Sequence, residues 1–253
     1  MHITFLGTGT SLGVPVIGCS CSVCTSPDPR DQRLRSSLLI RTEGISLVVD
    51  AGPDFRQQML RERVDRLDAV LLTHGHKDHT GGLDDIRSFN FLQRRSMPVY
   101  AREEVLRSVR QEFSYVFHED PYPGVPQLTL HALTGAPFRV GPLEVQPVPV
   151  LHGEMPVMGF RIGDFTYVTD ANHIPEESMA LIRGTRILVL NALQLKKHYS
   201  HFCLEEALAV IQELAPEQAY LTHVGHRMGI HEEVCRGLPD NVSLGWDGLS
   251  FTI

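Results

Sequence analysis

No stretch of the sequence approaches the ~18–20 uninterrupted apolar residues of a membrane-spanning helix. The opening MHITFLGTGTSLGVP lacks both the basic start and the long apolar core of a secretory leader, which predicts a cytoplasmic protein. Biased tracts are missing too. Hydrophobic residues make up 42% of the chain and charged ones 21%, with no low-complexity run, which excludes disorder, collagen and coiled coil as whole-chain answers. Positive charge is in deficit: 23 lysines and arginines against 30 acidic residues leave a net charge of −7. Non-specific affinity for the phosphate backbone comes from Lys and Arg, so nucleic acid is disfavoured as a partner. Cysteine is scarce at five, and three of those crowd together as Cys19, Cys21 and Cys24. In a reducing compartment such crowding points to metal and not to disulfides. The 253 residues are read as one domain, 1–253, large enough to build a core without staples.

Alternating apolar runs and turn residues predict strands at Ile3–Leu6, Ser37–Arg41, Ile45–Val49, Ala69–Leu72 and Pro98–Ala101. Further strands are predicted at Gln127–Ala132, Leu143–Val150, Gly159–Ile162, Thr166–Val168, Arg186–Asn191, Ala219–Thr222, Val242–Gly245 and Ser250–Ile253. A turn, Thr42–Glu43–Gly44, joins the second and third. Helical spacing marks Pro53–Arg63, His79–Arg94, Glu103–Phe117, Pro175–Arg183, Leu204–Leu214 and Ile230–Gly237. Strands cluster with helices between them, which predicts an α/β fold of two packed mixed sheets with helices on the outer faces. The segment Tyr115–Gln127, rich in proline, reads as a surface loop or lid.

What the sequence has in excess is histidine, 13 residues of it. The densest cluster is THGHKDH, which places His74, His76, Asp78 and His79 directly after the apolar run AVLL. A buried strand is a rigid platform, and a loop leaving its end can turn several side chains toward one point. Mixed imidazole and carboxylate donors suit Zn, Mn or Fe.

HGHKDH resembles the HxHxDH signature of the metallo-β-lactamase superfamily, and the resemblance extends over nearly the whole chain. It implies an αββα sandwich. It also implies three further ligands, matched by His152 in VPVLHG, Asp170 in TYVTDAN and His223 in AYLTHVGH, each after an apolar run. By that resemblance one divalent metal takes His74, His76, His152 and Asp170. A second takes Asp78, His79, Asp170 and His223, with Asp170 bridging. Two such ions about 3.5–4 Å apart hold a bridging hydroxide, the expected nucleophile.

The cysteines form a second constellation, C-x-C-x-x-C, which needs a fourth ligand to close a tetrahedral zinc site; His226 in THVGH is three residues past His223. This pattern, with GTGTSLGVP and GLDDIRSF, is similar to the phosphodiesterase subgroup that accompanies the carbon–phosphorus lyase pathway. That subgroup implies a structural zinc at Cys19, Cys21, Cys24 and His226. It also implies a general acid at His201, just before a helix, with His198 three residues earlier as the position most easily confused with it. Asp78 and His201 are the residues expected to serve catalysis directly. Cys203 and Cys235 are read as packing residues. Two departures from the subgroup concern the pocket: Ala171 where a Thr is usual, and Asn191 where an acidic residue is common.

The expected activity is therefore metal-dependent hydrolysis of a small, cyclic or linear, phosphodiester, with Mn or Zn (or Fe) in the catalytic pair. The expected partner is that substrate, with no membrane; a homodimer is left open. Two alternatives share the scaffold. One is a cofactor-biosynthesis enzyme similar to the pyrroloquinoline quinone B protein. The other is a tRNA 3′-processing nuclease, for which the basic, glycine-rich arm is lacking.

Overall fold

The computed structural model describes residues 1–42, 44–120 and 122–253. The first half of the chain supplies β1 (His2–Gly7), β2 (Ser37–Thr42), β3 (Ile45–Val49), α1 (Phe55–Arg61), β4 (Ala69–Leu71), α2 (Lys77–Thr80), α3 (Arg87–Gln93), β5 (Met97–Ala101), α4 (Glu103–Glu112) and β6 (Leu128–Ala132). The second half supplies β7 (Phe138–Val140), β8 (Leu143–His152), β9 (Met155–Ile162), β10 (Phe165–Val168), α5 (Glu176–Ile182), β11 (Ile187–Asn191), α6 (Leu204–Leu214), β12 (Gln218–Thr222), α7 (His231–Arg236), β13 (Val242–Leu244) and β14 (Ser250–Thr252). Among the described residues two seven-stranded sheets form, in the orders β14-β1-β2-β3-β4-β5-β6 and β13-β12-β11-β10-β9-β8-β7. The last strand returns to the first sheet, where Ile3 pairs with Phe251.

Side-chain alternation sorts the layers. Leu47 and Val49 of β3 enter the core between the sheets, whereas Val48 joins Phe55, Met59, Phe89 and Leu106 under the outer helices. On β11, Val189 faces the middle while Leu188 and Leu190 pack with Met179, Ile182 and Ile211 of α5 and α6. Strands β3 to β6 and β10 to β13 run parallel within their sheets. Parallel strands covered on both faces read as continuous apolar runs, which is why AVLL and ILVL stand out in the sequence. Fully buried Phe5, Phe160, Phe165 and Tyr167 fill the middle layer, and each aromatic of this kind stabilises by about 3 kcal/mol or more relative to alanine. The arrangement is the αββα sandwich.

Several expectations are corrected. The stretch 79–94 is not one helix: α2 ends at Thr80, a 3-10 turn spans Leu83–Ile86 and α3 follows. The break lies at Gly81–Gly82, where a Cβ on Gly82 would sit 2.0 Å from the Gly52 carbonyl oxygen. Contact between two backbones overrides the helical spacing there. The helix after Glu103 ends at Glu112, and Ser114–Phe117 forms a 3-10 turn. β8 runs on to His152, and β9 starts at Met155, not Gly159. Pro147 and Pro149 are tolerated because β7 pairs with β8 only as far as Val145, which leaves the rest of that edge without a ladder. None of the described residues between 115 and 127 lines the cleft at the site, so the segment is no lid in this conformation. Of the turn 42–44, Glu43 lies outside the described residues, as does Pro121 of the 115–127 segment.

Candidate metal centre

The site is built on strand ends. His74 and His76 follow β4, His152 ends β8, Asp170 follows β10 and His223 follows β12. Asp50 follows β3 in the same way. Asp50, Asp170 and His223 all adopt left-handed backbone, with φ of 63°, 56° and 55°. Such turns cost of order 1–3 kcal/mol for a non-glycine residue and persist where the surroundings over-determine them. Here they turn Asp170 and His223 off their strands into the cleft and set Asp50 behind His79.

That cleft, about 260 Å³, is lined by Thr10, Ser11, His76, Asp78, His152, Asp170, Leu193, His198, Tyr199, Ser200, His201 and His223. A larger hollow of about 480 Å³, lined by Glu144, Gln146, Arg161, Gly163, Ala180 and Leu181, contains no histidine and one carboxylate. Asp170 lies at the centre of the site. Its Oδ1 is 3.1 Å from His223 Nδ1 and 3.4 Å from His79 Nε2, and its Oδ2 is 3.7 Å from His74 Nε2 and 3.3 Å from His201 Nε2. Asp78, His79, Asp170 and His223 offer donor atoms within 4.8 Å of one another, which is the second ligand set read from the sequence. The first set is looser. His74 and His76 have ring centroids 4.6 Å apart, and His76 and His152 5.3 Å. His152 and Asp170 instead form a close group with His201.

The donor chemistry fits a pair of divalent cations. His74 Nε2 is buried, points into the site and has no hydrogen-bond partner among the described residues, while the buried His79 Nε2 faces Asp78 Oδ2 at 3.2 Å and Asp170 Oδ1 at 3.4 Å. A buried polar atom left unpaired costs about 1–3 kcal/mol, and a bound cation removes that penalty. Burial holds His74 well below the usual imidazole range and His223 at about 4, so both rings keep free lone pairs. Burial alone would push Asp170 up, but His223 and His79 hold it well below the usual carboxylate range. Burial also opposes charge on His79, yet Asp170 and Asp50 pull that ring upward.

The candidate ligands are themselves held. His79 Nδ1 is 2.7 Å from Asp50 Oδ2, and Asp50 also accepts from Thr73 N at 2.8 Å and Thr73 Oγ1 at 2.9 Å. His152 Nδ1 meets the Ser200 carbonyl at 2.7 Å, and His223 Nδ1 meets Ser36 Oγ at 3.1 Å. For His79 and His152 the carboxylate and carbonyl partners fix which nitrogen is free. Asn191 brackets Ala171, accepting from its N–H at 2.8 Å and donating to its carbonyl at 2.9 Å. The amide thus clamps the turn after Asp170. The sequence reading missed Asp50, although ISLVVDAG follows the rule used for Asp170, a polar residue directly after an apolar run. Ser36 and Ser200 carry no sequence signal, because their partners are brought to them by the fold.

The cysteine clip assembles as expected. His226 Nδ1 is 3.3 Å from Cys19 Sγ, 3.5 Å from Cys21 Sγ and 3.4 Å from Cys24 Sγ. The Cys24 N–H pulls the Cys21 thiol down to about 6, whereas burial pushes that of Cys24 up to about 11. Cys203 is buried at the start of α6, where Glu206 accepts from its N–H at 3.0 Å. Cys235 packs 3.6 Å from His231 Nε2. No helix of the described residues is long and apolar enough to cross a membrane.

Comparison with known proteins agrees with this geometry. Residues 46–224 match the model of the β-lactamase superfamily domain. A crystal structure of a new diphosphatase from the PhnP family superposes with a TM-score of 0.94 at 38% identity, covering 100% of this chain and 97% of that one. Zinc-bound PqqB from Methylobacterium extorquens shares the fold, with a TM-score of 0.79, 21% identity and full coverage of both chains. An octanoyltransferase of Porphyromonas gingivalis is 42% identical over 100% of this chain, which spans only 52% of that relative's length. With residues 46–224 matching that domain and the PhnP-family structure superposing over the whole chain, the chain belongs to the β-lactamase superfamily, as a metallo-β-lactamase-fold protein of the PhnP-like kind.

Proposed function

We propose that this protein hydrolyses small phosphodiesters at a pair of divalent cations, one held by His74, His76, His152 and Asp170 and the other by Asp78, His79, Asp170 and His223. The observation that carries the reading is the pair of buried nitrogens, His74 Nε2 and His79 Nε2, facing the two oxygens of Asp170. When bound, such a pair supplies Lewis-acid neutralisation of phosphoryl oxygens and makes water acidic enough to ionise near neutral pH. The polypeptide does the rest. Asp50, Ser36 and Ser200 fix the ligand rings, and the narrow polar cleft orients the ester. His201 Nε2, on the cleft wall beside Asp170, donates its proton to the leaving oxygen as the phosphorus–oxygen bond breaks. Water contributes the hydroxyl that remains on phosphorus. A zinc at Cys19, Cys21, Cys24 and His226 is structural in this reading, because four protein ligands leave no open position.

The diphosphatase relative supports reaction at phosphorus. The octanoyltransferase match supports a second reading, cleavage or transfer of an acyl ester. The cleft lining argues against it, since Leu193 is its one aliphatic wall and an eight-carbon chain has little to pack on. The test is a panel of alkyl, aryl and cyclic phosphodiesters, a diphosphate diester and an octanoyl thioester, assayed with Mn- and Zn-loaded protein. Turnover of phosphodiesters is the expected result. Turnover of the thioester alone, or of nothing but an oxidative substrate, would overturn the proposal.

A further inference from the structure

Of the large apolar and aromatic side chains that stand exposed among the described residues, Tyr199 alone lines the cleft, and it is 85% exposed. A single exposed apolar residue is ordinary on a protein surface, but this one stands on fixed backbone. Its carbonyl accepts from Asn172 Nδ2 at 3.2 Å. Asn172 is held in turn: its Oδ1 accepts from the Gly153 N–H at 2.7 Å, and its own N–H donates to the Leu151 carbonyl at 2.9 Å. The next residue, Ser200, is buried, and its carbonyl meets His152 Nδ1 at 2.7 Å. The His198 ring packs against that of Tyr199, with centroids 4.6 Å apart and planes tilted by 35°. The tyrosine ring is thus backed by one neighbour and otherwise left to solvent, at the rim of the cleft.

The size of the cleft says what such a ring meets. At about 260 Å³ it lies below the usual range of ligand pockets. It has room for a phosphoryl group and the atoms next to it, so a bulky substituent of the ester leaves through the mouth, past Tyr199. Leu193 is the one aliphatic wall, and a flexible chain finds no trough there. A flat ring needs only one wall, because offset-stacked aromatic rings attract at centroid separations of about 4.5–7 Å. We propose that Tyr199 is a specificity-determining residue, stacking on a planar heteroaromatic group that the substrate ester carries outside the cleft. The proposal rests on the phosphodiesterase reading for the reaction and adds to it the class of substituent. It gives Tyr199 no part in bond breaking.

The test compares two diesters that differ only in the base, adenosine 5′-(methyl phosphate) and ribose 5-(methyl phosphate), with metal-loaded protein. The native protein is expected to favour the adenosine ester in kcat/KM. Tyr199→Ala should lower that preference about 5- to 30-fold, mainly through KM, the lower part of the range for alanine substitution of a base-stacking aromatic. Tyr199→Phe should keep it, because the ring and not the hydroxyl does the stacking. Tyr122→Ala removes an exposed tyrosine that does not line the cleft, and should leave both esters as they are. Binding is read separately from turnover. In Tyr199→Trp, adenosine monophosphate should quench the added indole fluorescence over the background of Trp246, the one native tryptophan, and ribose 5-phosphate should not. Equal kcat/KM for the two esters in the native protein, or an equal loss on both in Tyr199→Ala, would overturn the proposal. If neither ester is hydrolysed, the reading of the reaction fails, and the quench then decides the stacking by itself: its presence supports the platform at Tyr199 and its absence overturns it.

Discussion

Two clusters of metal-ligating side chains share one loop and are built on opposite plans. His223 enters the cleft and His226, three residues on, enters the cysteine clip. The cleft gathers imidazoles and carboxylates from the ends of β4, β8, β10 and β12 and stays open to solvent beside Ser11 and Tyr199. The clip gathers three thiols from six consecutive residues and closes on one imidazole. Open coordination with oxygen and nitrogen donors is what a reacting centre needs, and closed sulfur-rich coordination is what a staple needs. On the proposed account the shared loop connects the two: a zinc in the clip would fix the segment from which His223 reaches Asp170.

The largest effect separating the two clusters is expected from Asp170→Ala. Both cleft ions should be lost and turnover should fall to background, while zinc at the clip survives; metal analysis reads all three. Retention of either cleft ion would break the idea that Asp170 is shared. Next is Asp50→Asn, which leaves every proposed ligand in place but weakens the hold on His79 Nδ1. Cleft metal affinity should drop about 10–100-fold, as is typical when a ligand's outer partner is removed. Clip occupancy in that variant is expected to stay unchanged in a competition titration with a chelator.

Cys21→Ser reverses the pattern. The clip joins Cys24 to His226 across 202 positions of sequence, so losing it should cost about 3 kcal/mol or more of folding free energy. For a chain of this size that lowers the melting temperature by roughly 6–12 °C. Cleft affinity should fall only modestly, through the loosened His223. An unchanged melting curve would contradict the staple.

The smallest effect concerns pH, at the start of α7. His231 is buried against Arg33, whose Nη2 is 3.1 Å from its Nδ1. Burial, then Arg33 and Arg30, depress the ring from 6.5 to about 4. The unfolded chain takes up that proton first. The stability tied to the neutral ring is therefore complete above about pH 6.5 and is lost as pH falls toward about 4. His231→Asn keeps an acceptor for Arg33 and should flatten this part of the denaturation profile between pH 6.5 and 4, whatever the state of the metals.

Much of this organisation is legible in the sequence, for identifiable reasons. His74, Asp170 and His223 each follow an apolar run, because a strand buried on both faces is mostly apolar until it leaves the sheet. Cys19, Cys21 and Cys24 are local in sequence, so their spacing alone brings them together. What spacing could not show are contacts made by the fold. Ser36 meets His223 across 187 positions and Ser200 meets His152 across 48. The helical spacing through Leu83, Ile86 and Phe89 is real, yet the approach of Gly82 to Gly52 breaks the helix, and it is this approach that sets Asp50 behind His79.

The central claim is that the cleft is a two-ion centre and the clip a one-ion staple. Anomalous diffraction from crystals of fully metal-supplied protein, collected on both sides of the Zn and Mn absorption edges, tests it most directly. The account predicts three peaks: two in the cleft flanking Asp170, and a zinc-only peak among Cys19, Cys21, Cys24 and His226. A single cleft peak or none at full metal supply, with His74 and His79 turned away from Asp170, would contradict it.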